Sequence, residues 1–222
     1  MSTIRALFAP LHELGHVMHM LPIARRLQAL GHEVAFLSQR DLTPTLAAAG
    51  LDVPCLGDRG IPSMSLHGRA PIENERFMGR YYAMMITRAL EESTMHWMVQ
   101  AGTDAIASFR PDVVCADPIV YYNIIAAARA GVPWACVSPL LLSVAPRDFS
   151  CVMMRSLGTV RSELSAQLVK LGLDGRLSAG WHEVVSPWLN MLYASEDFVP
   201  RAWSGNDYSW YVPPPQREDL RD

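Results

Sequence analysis

A short β-α-β unit between residues 112 and 137 constrains this chain more than any other feature. Asp112–Ala116 is a run of strand formers, Ile119–Ala130 has the length of a helix, and Trp134–Val137 is strand-like again. Two short strands joined by a helical crossover must lie parallel. Gly131-Val132-Pro133 supplies the stop for the helix and the start of the next strand. The same alternation opens the chain. Ile4–Ala9 is an apolar run ended by Pro10. Val17, Met20, Leu21, Ala24 and Leu27 then fall on one helical face, and Gly31 closes that helix. Pro22 fits best in a first helical turn, so the helix is expected to start within 16–21. Val34–Ser38 reads as a strand, Thr43–Ala49 as a short helix closed by Gly50, and Val53–Leu56 as a third strand. Repeated units of this kind predict an α/β fold: a Rossmann-like, doubly wound parallel sheet with helices on both faces.

Elsewhere the pattern is coarser. Gly57–Pro71 reads as a loop, and Ile72 to about Phe109 as one long helix or two. Residues 151–172 and 175–190 read as helical, and Leu192–Ala194 as a strand. The stretch 203–222 is polar and aromatic and carries Pro213-Pro214-Pro215, a stiff extended connector. The expected division is a domain over 1–202 and a linker or tail over 203–222. Ligands of such sheets bind at the carboxyl ends of the strands. That selects the loops Pro10–Val17, Gly57–Pro71, Asp117–Ile119 and Ser138–Ser150.

Composition removes several classes of function. Half of the 222 residues are hydrophobic and 18% are charged, ample apolar material for a core. A net charge of −3 argues against a nucleic-acid partner. The four cysteines (55, 115, 136 and 151) form no C-x-x-C, which suits buried thiols in a reducing cytosol. The opening Met1–Pro10 is too short for a secretory signal, and Ile119–Ala145 is broken by Arg129, Gly131, Pro133 and Pro139. A cytoplasmic protein with no membrane span is the expectation.

The loudest string is His12-Glu13-Leu14-Gly15-His16, literally the H-E-x-x-H of zinc hydrolases. That chemistry needs both histidines on one helix face. Here a strand ends at Pro10, so His12 is expected on a loop, and no third ligand stands at the right spacing. No metal is expected. No G-x-G-x-x-G follows the first strand, and no phosphate-binding G-x-x-x-x-G-K-[ST] or nucleophilic G-x-S-x-G occurs. No bound cofactor is expected either. His16 stands where the first loop enters the first helix, and Asp117 ends a strand before Pro118. Each has a plain structural reading: a solvated loop histidine, and an N-cap aspartate with proline at the first helical position. Together they suggest more. The two strand ends come close in a parallel sheet, and a carboxylate beside an imidazole makes a usable general base. Met and aromatic residues crowd 77–98, which is helical core or a pliable wall for a greasy ligand.

Three strings in register resemble the UDP-glycosyltransferase family of GT-B glycosyltransferases, in particular bacterial macrolide and antibiotic glycosyltransferases. Leu7-Phe8-Ala9-Pro10…Gly15-His16-Val17…Leu21-Pro22-Ile23-Ala24-Arg25-Arg26-Leu27…Gly31-His32-Glu33-Val34 is similar to that family's opening. Arg110-Pro111-Asp112-Val113-Val114-Cys115-Ala116-Asp117 with Gly131-Val132-Pro133 resembles its second block, and Leu192–Pro200 with Tyr208–Pro213 the end of its N-terminal domain. The resemblance implies an acceptor-binding domain, the N-terminal half of a GT-B architecture. It implies an inverting, metal-independent transfer of sugar from a UDP- or dTDP-sugar to a hydroxyl of a lipophilic small molecule. His16 falls on the catalytic base and Asp117 on the residue that orients it. Leu14, Met64, Met78, Tyr82, Met85, Pro139 and Leu140 are the candidate acceptor-binding residues. His19 stands where the family often has proline, and Pro213 where it usually has glycine. The nucleotide-sugar motif of the C-terminal domain has no counterpart, so that domain is expected to be absent and the chain incomplete without a donor domain in cis or trans. The alternatives are a non-catalytic binding or assembly module and, last, a zinc hydrolase.

Overall fold

The computed structural model describes residues 2–57, 92–139, 186–194 and 209–212, with 165, 166, 169, 170 and 199. Seven strands form one sheet: β1 (Arg5–Ala9), β2 (Glu33–Leu37), β3 (Cys55–Leu56), β4 (Val113–Ala116), β5 (Trp134–Ser138), β6 (Leu189–Leu192) and β7 (Ser209–Tyr211). Their order is β3-β2-β1-β4-β5-β6-β7, and every neighbouring pair is parallel. The described helices are α1 (Leu14–Ala29), α2 (Thr43–Ala48), α3 (Glu92–Phe109) and α4 (Tyr121–Arg129). This is the doubly wound Rossmann-like sheet that the alternation predicts.

Strand periodicity sorts the core into two layers, because successive side chains leave a strand on opposite faces. Leu7, Ala9, Ala35, Leu37, Val114 and Ala116 pack with α3 and α4. Ala6, Phe8, Val34, Phe36, Cys115 and Val137 pack with α1 and α2. Phe8 and Phe36 stack across β1 and β2, with ring centroids 5.3 Å apart. Both faces are apolar, which is why these strands read as continuous hydrophobic runs.

Three of the four described helices, α1, α2 and α4, end on one device, while α3 is followed by Arg110 with φ +52°. Gly31 has φ +81°, its N–H bonds to the Gln28 carbonyl, and the His32 N–H bonds to the Leu27 carbonyl. Gly131, at φ +68°, repeats the pattern on Ala128 and Ala127. A residue with a side chain is strained in this left-handed conformation, so glycine is what stops the helix and turns the chain into the next strand. At Gly102 the missing side chain serves packing instead. A Cβ there would lie 3.0 Å from Ala126 Cβ and 3.2 Å from Asn123 Oδ1, so α3 rests closely on α4.

Several boundaries differ from the sequence reading. α1 begins at Leu14, ahead of the expected 16–21, and encloses Pro22. The helix forgoes one hydrogen bond at that proline and is held by the buried face of Val17, Met20, Leu21 and Ala24 on either side of it. α4 begins at Tyr121 with Val120 as its cap, so Asp117 is not the N-cap that Asp-Pro suggests. Its carboxylate accepts the Ile119 N–H at 3.1 Å, and its carbonyl accepts the Val120 N–H at 2.9 Å. That local turn delays the helix. Residues 189–190, read as the end of a helix, belong to β6, which lies earlier than the expected strand at Leu192–Ala194. Buried Asn190 accounts for this. Its amide oxygen accepts the Ser186 N–H and its amide nitrogen donates to the Ser186 carbonyl, both at 2.8 Å. Ser186 Oγ in turn donates to the Trp134 carbonyl at 2.6 Å, tying the start of β6 to β5. Ser209–Tyr211, inside the stretch read as a connector, adds to the sheet as its edge strand. The readings of 58–91 and 140–164 lie outside the described residues. Among the described residues, no helix is long and apolar enough to cross a membrane.

The Asn190→Ala substitution leaves a buried N–H and a buried carbonyl of Ser186 without partners. It should lower unfolding stability by about 1–3 kcal/mol, measured by urea denaturation.

Candidate functional site

The site forms where β1 and β4 end side by side. Ala9 pairs with Ala116, and the Asp117 N–H continues the ladder by donating to the Ala9 carbonyl at 3.1 Å. Past Ala9, Pro10 ends the strand and the chain turns into α1, whose third residue is His16. The imidazole Nδ1 of His16 meets the Asp117 carboxylate at Oδ2. Residues 101 positions apart in sequence thus form one pair.

The burial of the two partners decides their roles. The Asp117 side chain is 1% exposed and that of His16 18%. A buried carboxylate is costly unless it is paired and hydrogen-bonded. Asp117 uses Oδ1 on the Ile119 N–H and Oδ2 on His16, so both oxygens are engaged. An ionised carboxylate only accepts, which places the imidazole hydrogen on Nδ1 and leaves the lone pair on Nε2. The arrangement can take a proton at Nε2 and stabilise the imidazolium that results.

Around the pair lie groups that the sequence does not single out for the site. One turn along α1, His19 Nδ1 donates to the Gly15 carbonyl, and its ring meets Tyr193 edge-on at 4.9 Å. Burial lowers the His19 pKa from 6.5, and the nearby His16 adds to that effect. The Gly15 carbonyl and Asp117 oppose it. Tyr122, on α4, has its phenol pKa raised by burial and by the charge of Asp117. Gln39, just past β2, donates from Nε2 to the Tyr122 hydroxyl. Its position at a strand's carboxyl end is the signal that could have found it. The Cys115 thiol is pushed up to about 12 by complete burial, which makes it a packing residue.

The candidate acceptor-binding residues are placed unevenly. Leu14 stands exposed at the start of α1, and Pro139 is half-buried just after β5. Met64, Met78, Tyr82, Met85 and Leu140 lie outside the described residues. Both described positions follow strand ends of the same sheet edge. His12 precedes α1, with Nε2 3.7 Å from Glu13 Oε1, so it does not share a helix with His16 as H-E-x-x-H zinc chemistry requires. Among the described residues, no group of three His, Cys, Asp or Glu side chains is placed to hold a metal ion.

Comparison with known proteins agrees with this architecture. The chain is 29% identical over 178 residues to L-demethylnoviosyl transferase of Streptomyces niveus, a match covering 77% of this chain and 41% of that protein. It superposes on the calicheamicin glycosyltransferase with a TM-score of 0.68 at 21% identity, covering 96% of this chain and 53% of that one. The kitacinnamycin glycotransferase gives a TM-score of 0.65 at 18% identity, with 96% and 52% covered. The chain therefore spans about half the length of the relatives it matches. No family model matches it. The chain has the Rossmann-like fold of the matched halves of these glycosyltransferases.

The lowered pKa of His19 sets a sign for stability. Below 6.5 the unfolded chain takes up a proton that the native ring refuses, so the unfolded state binds more protons there. The contribution is complete above 6.5 and is lost as pH falls through the native value. Unfolding free energy should therefore fall with pH below 6.5, and less steeply in His19→Phe, as read from urea titrations across that range.

Proposed function

We propose that this chain, related to the bacterial GT-B sugar transferases, is the acceptor-binding domain of an inverting, metal-independent glycosyltransferase. The observation that carries the reading is the His16–Asp117 pair at the carboxyl edge of the sheet. A buried carboxylate on Nδ1 suits a general base, and a base is what a hydroxyl nucleophile needs. In this reading the acceptor's hydroxyl gives its proton to His16 Nε2. The oxygen attacks the anomeric carbon of a UDP- or dTDP-sugar, and the nucleoside diphosphate leaves from the opposite face. Asp117 holds the ring and balances the imidazolium charge. The nucleotide sugar is held by a second domain, in the same chain or in a partner. Residues 1–202 provide the acceptor domain, and 203–222 lead towards the donor domain after contributing the edge strand. The exposed Leu14, two residues before His16, suits a lipophilic acceptor. So does the Met- and aromatic-rich composition of 77–98.

The test joins this chain to a nucleotide-sugar-binding domain and follows transfer. His16→Ala should lower kcat by ~10²–10⁴-fold, the usual contribution of a general base. Asp117→Asn should fall in the same range, because the carboxamide no longer fixes the ring. The double variant should be little worse than the worse single one, since the two residues act as a unit. The anomeric configuration of the product, read by NMR, should be inverted, and chelation by EDTA should leave the rate unchanged. Full transfer by His16→Ala would sink the assignment.

A further inference from the structure

We propose that His19 is a positioning residue for His16, its ring locking the first turns of α1 onto Tyr193 at the carboxyl edge of the sheet. The consequence for turnover rests on the reading above, while the lock itself rests on packing alone.

The turn that carries His16 has little of its own to hold it. α1 starts at Leu14, and its cap residue Glu13 makes no side-chain bond to the helix. No acidic residue in the first turn complements the free N–H groups. Gly15 stands in that turn, and glycine is among the least favourable residues in a helix. Pro22 has no N–H for the Met18 carbonyl, so one bond between the first turns and the rest of the helix is missing. Leu14 and Met18 are 62% and 48% exposed and give this segment little packing. Of the first five residues of α1, only Val17 is buried. A segment held so lightly frays or turns about its axis, and either motion takes the His16 imidazole off Asp117.

His19 supplies a second point of attachment. It follows His16 by three positions, so the two side chains leave neighbouring parts of one helix surface. His16 meets Asp117, just past β4, and His19 meets Tyr193, just past β6, with β5 between those strands. The His19 and Tyr193 ring centroids lie 4.9 Å apart with the planes at 82°, the edge-to-face arrangement that aromatic rings favour. Tyr193 is a firm stop. Its N–H donates to the carbonyl of Ser138, the last residue of β5, at 3.0 Å, and it packs against the core layer that holds Val17 and Met20. α1 is thus tied to the sheet at two strand ends, and it cannot rotate without parting His19 from Tyr193. Neither ring brings a charge to the contact. Burial lowers the pKa of His19 and raises that of the Tyr193 phenol, so Asp117 is left to His16.

The isotope-labelled 222-residue chain is the sample. The readout is the downfield proton signal of the His16 Nδ1–H bonded to Asp117, assigned by its loss in His16→Ala. Exchange of that proton with water measures how well the pair is held. In His19→Ala and in Tyr193→Ala the exchange rate should rise about 3- to 10-fold, the worth of one edge-to-face contact. In His19→Phe, which keeps a ring at the contact, it should change by less than ~2-fold. The amides of Leu7 and Val114, in the core of the sheet, should keep native protection in all three variants, which separates a loosened turn from a loosened protein. Should His19→Ala fail to fold, Tyr193→Ala carries the test. Native exchange in the alanine variants, an equal rise in His19→Phe, or a parallel loss of protection at Leu7 and Val114 would overturn the proposal. It fails likewise if the native chain shows no such signal. In the chain joined to a nucleotide-sugar-binding domain, His19→Ala should lower kcat by a similar factor and leave KM for the nucleotide sugar unchanged. The exchange pattern does not depend on turnover, so it can hold even if His16→Ala retains full transfer. In that case the lock stands and the glycosyltransferase reading falls.

Discussion

The pairing of β1 with β4 is the constraint on which the rest of the structure depends. These strands are not consecutive, yet they lie side by side, with Ala6 to Ala9 opposite Val113 to Ala116. On the other side of β1 lies β2, so the strand order reverses at this point. The chain leaving β1 enters α1 on one face of the sheet, and the chain leaving β4 enters α4 on the other. The diverging connections leave a crevice above the strand ends, as doubly wound sheets do. Without that pairing, His16 and Asp117 would be unrelated residues in a long chain.

Asp117 then links backbone order to chemistry. Its N–H extends the β1–β4 ladder, one carboxylate oxygen closes the turn before α4, and the other holds His16. An N-cap role would have brought α4 in directly after Asp117. Three residues are spent on a turn instead, and the carboxylate is left aimed at the imidazole. The same buried charge reaches His19 on one side and Tyr122 on the other. A single anion therefore holds His16 and also acts on His19 and Tyr122.

Most of the sheet is legible in the sequence because both of its faces are apolar and three of its four described helices stop at glycine. Continuous hydrophobic runs mark β1, β2, β4 and β5, and Gly31, Gly50 and Gly131 mark where helices end. The strand-end argument already brings His16 and Asp117 together, and the resemblance to glycosyltransferases adds the roles expected of them. What escapes is what tertiary contacts decide. The first residues of β6 look helical until buried Asn190 and Ser186 bond to each other and to β5. Three residues, Ser209–Tyr211, form an edge strand too short to show a period. Pro22 misleads because a helix with a well-buried face tolerates one missing hydrogen bond. Gln39 escapes for another reason: a polar residue after a strand looks like any solvated loop until its partner on α4 is known.

The neutrality of the Gln39–Tyr122 pair suits the same electrostatics. A buried carboxylate that holds an imidazole is sensitive to any second charge in its low-dielectric surroundings. A cation at position 122 would compete with His16 for Asp117, and an anion there would work against the carboxylate. Gln39 and Tyr122 provide hydrogen bonds without either effect, and burial keeps the Tyr122 phenol uncharged. The α4 side of Asp117 can thus be polar while the charge of Asp117 stays committed to His16.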